Sequence, residues 1–141
     1  MAGLDNSIRQ ESIRHERTRA AHMTETAEDY VEAIADTIAL SGECRVTDLS
    51  RRFGVTHVTV IKILGRLERD GLVRTESRSP VKLTRKGSAL AKKCRERHET
   101  VFQFLLAIGV SEKAASVDAE GIEHHVSRET LARFRRFLKH K

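Results

Sequence analysis

Apolar residues recur along most of the chain at helical rather than strand spacing. Over 25–40 they fall at Val31, Ile34, Ala35, Ile38 and Ala39, one face of a helix, and Gly42 follows as a stop. Thr47 is placed to cap a short helix over 48–53, closed by Gly54. After Val55 and Thr56 a third helix is predicted from about 57 to 69, ended by Gly71. Two helices joined by so tight a turn make a helix-turn-helix. Gly65, inside the third helix, costs about 1 kcal/mol relative to Ala, which close helix packing would explain. Residues 72–75 and 81–83 read as strands, with Pro80 at the turn between them. Two strands directly after a helix-turn-helix form a wing. Thr84 then caps a long helix over about 85–108, with Leu90, Val101, Phe104, Leu105 and Ile108 on its core face and Gly109 as its stop. Ser111 is expected to begin a short helix, 118–126 a further one, and Ser127 to cap a last one ending near Leu138. The expected fold is all-α with a small β wing. An arm over 1–23 leads into a winged helix-turn-helix over 24–84, and a helical module over 85–141 follows.

Charge separates these modules. Residues 45–97 hold 15 Lys/Arg against 5 Asp/Glu, a local net of +10, within a chain whose net charge is +6. A basic block confined to one contiguous third of the sequence is the footprint of a nucleic-acid-binding module; a solvated basic surface is the plainer alternative. On the third helix, Thr56, His57, Thr59, Lys62 and Arg66 are the candidate DNA contacts, because the first turns of such a helix enter the major groove. Arg78 and Lys82 on the wing suit phosphates better than bases. No run of 18 apolar residues exists, so no membrane association is expected. The two cysteines, Cys44 and Cys94, fit neither a zinc site nor a disulfide framework, which points to a reducing, cytoplasmic setting. Cys94, one helical turn before His98, is placed for a ligand role but reads better as a small buried apolar residue, and Cys44 reads as loop or core.

The segment from Asp118 to His125 carries the most specific chemistry. If it is helical, Glu120, Glu123 and His124 stand at i, i+3 and i+4 and point at one spot. Such a cluster repels itself unless a cation sits within it. An exposed acidic face is the ordinary alternative. It does not explain a second carboxylate pair at i, i+3, formed by Asp29 and Glu32. His98 lies between them on the long helix. His125 points about 100° further round and is the poorer ligand. These residues predict an oxygen-rich metal site assembled from three separate segments.

Residues 27–34, Arg97-His98-Glu99 with Gln103-Phe104-Leu105, and 118–127 together resemble the manganese transport regulators of the diphtheria-toxin-repressor family of metal-dependent winged-helix repressors. The resemblance covers about residues 25–138. It implies Asp29, Glu32, His98, Glu120, Glu123 and His124 as ligands of two closely spaced Mn²⁺ ions. Four carboxylates balance two divalent charges. It also implies a homodimer on palindromic double-stranded DNA and no small organic substrate. The family's iron-responsive branch has Met and Cys where this chain has Asp29 and Glu120, and carboxylates there favour hard Mn²⁺ over Fe²⁺. An iron-responsive regulator is nonetheless the nearest alternative. A di-metal carboxylate enzyme is a more distant one, since no acid–base pair or nucleophile accompanies the site and the basic module would stand idle. The wing departs from the resemblance: residues 76–80 lack the aromatic-Arg-Gly tip of relatives. The arm is longer than in the shortest of them.

Overall fold

A computed structural model describes residues 2–141; Met1, the first residue of the expected arm, lies outside the described residues. Six α-helices and a two-stranded sheet follow in the order α1 (Ala2–Ser41), α2 (Val46–Phe53), α3 (His57–Arg69), β1 (Val73–Arg74), β2 (Lys82–Leu83), α4 (Arg85–Ala107), α5 (Glu112–Ile122) and α6 (Arg128–Lys139). A single 3-10 turn, Glu123–His125, joins α5 to α6.

The core of the DNA-type module lies where amphipathic spacing puts it. Val31 and Ile34 of α1 meet Leu49 of α2, Val60, Leu64 and Leu67 of α3, and Leu72, Val73 and Val81 around the wing. Each such side chain, fully buried, contributes about 1.5–3 kcal/mol. Tyr30 joins this core and stacks on Phe53, with ring centroids 4.3 Å apart. The strands pair antiparallel, Val73 with Leu83 and Arg74 with Lys82. Helix ends follow local chemistry. Thr56, Thr84, Ser111 and Ser127 accept hydrogen bonds from the backbone N–H three residues on. Gly54 and Gly109 end helices at φ 63° and 100°, where a side chain is disfavoured. The C-terminal helices pack α4 on α6 through Phe104, whose ring stacks on Phe134 at 3.9 Å and meets the edge of Phe137 at 5.4 Å.

Several expectations are corrected. The first helix begins at Ala2, more than twenty residues before the predicted start, and reaches about 60 Å in all. Its residues up to 20 are exposed throughout, so no apolar stripe announced them. The cap of α2 is at Arg45 rather than Thr47, because Asp48 accepts the Arg45 backbone N–H at 2.8 Å. Residues 112–122 form one helix where two were expected, and 123–125 leave it. Gly65 is not explained by close packing, since a Cβ there would meet nothing within 4 Å. The close approach is at Gly87, where a Cβ would lie 2.0 Å from the Leu72 carbonyl oxygen. That contact sets α4 against the start of the wing.

Candidate metal centre and nucleic-acid surface

Three elements bring the metal-type side chains together. Asp29 and Glu32 project from α1, His98 from α4, and Glu123 and His124 from the 3-10 turn. His124 Nε2 lies 3.0 Å from Asp29 Oδ1 and 3.5 Å from Glu123 Oε1. His98 Nδ1 lies 2.9 Å from Glu123 Oε2. Glu123 is thus shared between the two imidazoles. Asp29, Glu32, His98, Glu120 and Glu123 all line one cleft of about 720 Å³. Glu120 is exposed on α5, at the rim. α5 ends at Ile122, so Glu123 and His124 leave from the 3-10 turn rather than from the α-helix that carries Glu120, while Glu120 and Glu123 line the same cleft. His125 points elsewhere, its Nε2 3.4 Å from Glu25 Oε2.

The electrostatics ask for a cation. Burial, followed by the charges of Glu123 and Asp29, raises the Glu32 carboxyl to about 7. Burial also raises Glu123 to about 7, with Asp29 and Glu120 adding to it against His124 and Arg97. A hydrogen bond to Asp29 raises His124 despite its burial. Among the described residues three buried side-chain atoms, Glu32 Oε1, His124 Nδ1 and Arg97 Nε, have no hydrogen-bond partner. Carboxylates whose neutral form is favoured by burial and then by one another's charge, beside an unsatisfied imidazole, are the donor set a divalent ion would complete. The residues present therefore fit a hard divalent metal.

Beneath the site lies a network that spacing did not reveal. Glu28 is 5% exposed, pairs with the Arg97 guanidinium, and accepts a hydrogen bond from the Cys94 thiol at 3.1 Å. His124 Nδ1 stands 3.5 Å from the same carboxylate oxygen, too poorly aligned to bond. Burial, then the charges of Glu32 and Glu123, pushes Cys94 up to about 12, so it stays a thiol. One signal for Glu28 was available: Glu28 and Glu32 at i, i+4 are like charges that repel on a bare helix. Glu25, also missed, extends the acidic stripe one turn upstream of Asp29 and lines the cleft.

The nucleic-acid candidates occupy α3 and the wing. His57 and Lys62 are exposed, while Thr56 and Thr59 bond to each other at the helix start. Arg66 turns toward α1, lining a groove with Met23, Ala27 and Leu90. Val58 and Ile61, not singled out in the sequence, are 73% and 59% exposed on the same helix. Lys82 is exposed on β2. Arg78 is exposed at the wing tip with φ 63°, third residue of a turn closed by Ser79 N–H donating to Glu76 O. Glycine is preferred there, so a cation is kept at a conformational cost of about 1–2 kcal/mol.

Comparison with known proteins finds two domains in succession. Residues 22–81 match the iron dependent repressor N-terminal DNA binding domain, and residues 84–141 match the iron dependent repressor metal binding and dimerisation domain. The transcriptional regulator MntR of Escherichia coli O6:H1 is 49% identical over 123 residues, which cover 87% of this chain and 79% of the relative. The HTH-type transcriptional regulator MntR of Bacillus subtilis strain 168 is 37% identical over 110 residues, covering 78% of each. Among solved structures, a manganese-dependent transcriptional repressor in complex with manganese is similar at TM-score 0.70 and 28% identity, covering 80% of this chain and 52% of that one. The manganese regulator SloR shares the fold at TM-score 0.70 and 23% identity, covering 82% of this chain and 54% of its own. This chain spans about half the length of those solved chains. With a DNA-binding and a metal-binding domain matched in succession over nearly its whole described length, the chain belongs to the iron-dependent, or diphtheria-toxin, repressor family.

Proposed function

We propose that this chain is a manganese-responsive repressor of metal-uptake genes, acting as a cytoplasmic homodimer on palindromic operators, with two Mn²⁺ per chain held by Asp29, Glu32, His98, Glu120, Glu123 and His124. The DNA-binding module runs over 24–84 and the metal-binding and dimerising module over 85–141, with 1–23 as an arm. One observation carries the reading. Asp29 and Glu32 stand on the same helix whose Val31 and Ile34 share a core with Val60, Leu64 and Leu67 of the recognition helix. A ligand pair and the DNA-reading helix are therefore two faces of one rigid contact.

When bound, a divalent ion supplies the positive charge that lets these carboxylates ionise close together. The chain's own residues do the rest. Asp29 orients the His124 ring through Nε2, and Glu123 holds His98 and His124 at a common point. With Asp29 and Glu32 drawn to that point, α1 is fixed against the C-terminal module. The recognition helices of a dimer are then held at one separation, which suits half-sites about 34 Å apart. Coupling of about 1–3 kcal/mol is enough for a switch. On α3, Thr56, His57, Thr59 and Lys62 reach phosphates and base edges, Arg66 plays the lesser part, and Val58 and Ile61 suit thymine methyl groups. Arg78 and Lys82 contact phosphates.

The donors are oxygen and nitrogen. Cys94 remains a thiol bonded to Glu28, which favours Mn²⁺ over softer metals. Two buried free cysteines suit a reducing compartment, and among the described residues no helix is long and apolar enough to cross a membrane. The relatives are named as regulators, and no catalytic role or organic substrate is proposed. Fluorescence anisotropy of labelled operator DNA, with and without Mn²⁺ under anaerobic conditions, tests the reading. Binding that ignores Mn²⁺ would remove it.

A further inference from the structure

Glu25 stands one helical turn before Asp29, so both carboxylates leave the same face of α1. A Glu25 oxygen, an Asp29 oxygen and an imidazole nitrogen of His124 all lie within 4.8 Å of one another. The third member is a buried ring: the His124 side chain is 2% exposed and aims Nε2 at Asp29. Its Nδ1 finds no hydrogen-bond partner on the other side, so local protein groups leave the ring half satisfied. Glu25 also lines the cleft shared by Glu32, Glu120 and Glu123.

We propose that Glu25 is a further ligand of the metal centre, holding a divalent cation at the cleft mouth together with Asp29 and His124. The proposal rests on the manganese reading given above. Two carboxylate oxygens and one imidazole form a hard, mixed donor set. It leaves three positions of an octahedral shell to water or to deeper carboxylates, which suits Mn²⁺. The exposures fit an entry position. Glu25 and Asp29 side chains are 34% and 44% exposed, whereas Glu123 is 4% exposed. A cation entering the cleft meets Glu25 and Asp29 before it meets Glu123. Glu25 also marks the place where α1 passes from its exposed N-terminal half to its packed half. Ligation there fastens the base of the N-terminal extension to the C-terminal module. The competing explanation is that Glu25 serves only its pair with His125, 3.4 Å away.

The test is Mn²⁺ titration of the full chain, read by calorimetry and by the electron paramagnetic resonance of unbound Mn²⁺. It compares wild type, Glu25→Gln, His125→Ala and Glu123→Gln, with helicity checked by circular dichroism. Glu25→Gln is expected to weaken one class of bound Mn²⁺ at least as much as loss of an outer partner does, about 10- to 100-fold, while His125→Ala leaves it unchanged. A Glu25→Gln isotherm that superimposes on wild type, while Glu123→Gln loses binding, overturns the role of Glu25 and leaves the manganese reading intact. His125→Ala reproducing the loss also overturns it, because Glu25 then acts through its partner. Wild type that takes up no Mn²⁺ overturns both readings together.

Discussion

His124 Nε2 lies 3.0 Å from Asp29 Oδ1, and this contact joins the 3-10 turn after α5 to the helix that backs the recognition helix. On the manganese reading proposed above, Asp29 has two jobs: it orients the imidazole and it offers a hard oxygen. Mn²⁺ stands at the weak end of the Irving–Williams order, so a site selects it by geometry and donor type rather than by affinity. Asp29→Met removes the oxygen, the charge and the bond to His124. The expected outcome is relaxed metal choice, with Fe²⁺ or Co²⁺ activating DNA binding about as well as Mn²⁺. Anaerobic anisotropy titrations at matched free metal read the ranking. A ranking unchanged from wild type would place selectivity elsewhere.

Two glycines make opposite predictions. Gly87→Ala forces a Cβ to 2.0 Å from the backbone oxygen of Leu72, which cannot swing away as a side chain would. Overpacking of this kind costs about 1–3 kcal/mol or more, and α4 must shift from the wing. Gly65→Ala meets open space and should gain about 1 kcal/mol from helix propensity. Urea denaturation of both variants with wild type checks the sign of each.

These glycines also mark what the sequence could disclose. Gly54 and Gly109 announce helix ends because positive φ is a local requirement, and Thr84 and Ser127 announce starts because a cap is a local bond. The winged module was legible for that reason. Residues 2–24 of α1 were not. The large apolar residues of that stretch, Leu4, Ile8, Ile13 and Met23, are too sparse to make an apolar period, and here its hydroxyls merely bond back, as Thr18 does to the Arg14 carbonyl. The candidate metal residues were legible as residue types at helical spacing. The break at Ile122 was not, since placing His124 beside Asp29 depends on how the turn packs against α1. Glu28 and Arg97 were hidden because a pair formed between distant helices leaves no mark on either segment alone.

Lys62 separates reading DNA from sensing metal. It is exposed on α3 and takes no part in the cleft. Lys62→Ala should weaken operator binding, lower the slope of log affinity against log salt by about 1, and leave Mn²⁺ affinity of the free protein unchanged. Anisotropy across a salt series, paired with calorimetry, reads both. A wild-type salt slope would mean Lys62 does not meet a phosphate.

Arg78 makes a complementary case on the wing. Its φ of 63° suits glycine, so Arg78→Gly relieves about 1–2 kcal/mol of backbone cost, partly offset by about 0.4–1 kcal/mol of added freedom in the unfolded chain. Stability should hold or rise slightly while Mn²⁺-activated DNA affinity falls. If affinity is unchanged, the cation at the tip has no phosphate partner.

The last prediction follows from the protons that Glu32 and Glu123 retain. Burial and neighbouring carboxylates hold both near 7, above the ordinary value of 4.5. Between those values the folded metal-free chain binds more protons than the unfolded chain. Its stability from these groups therefore falls as pH rises through that window. His124, raised by Asp29, acts in the same direction, since its favourable charge is lost as pH climbs through its folded value. The metal-free protein should melt at lower temperature at pH 8 than at pH 5.5, and saturating Mn²⁺ should reverse that order, because the ion requires the deprotonated ligands. Glu32→Gln with Glu123→Gln removes the two carboxyl groups and should flatten the metal-free dependence. Melting temperatures of both proteins at the two pH values, with and without Mn²⁺, decide it. A double variant that keeps the wild-type slope would assign the pH dependence to His124 or to groups outside the cleft.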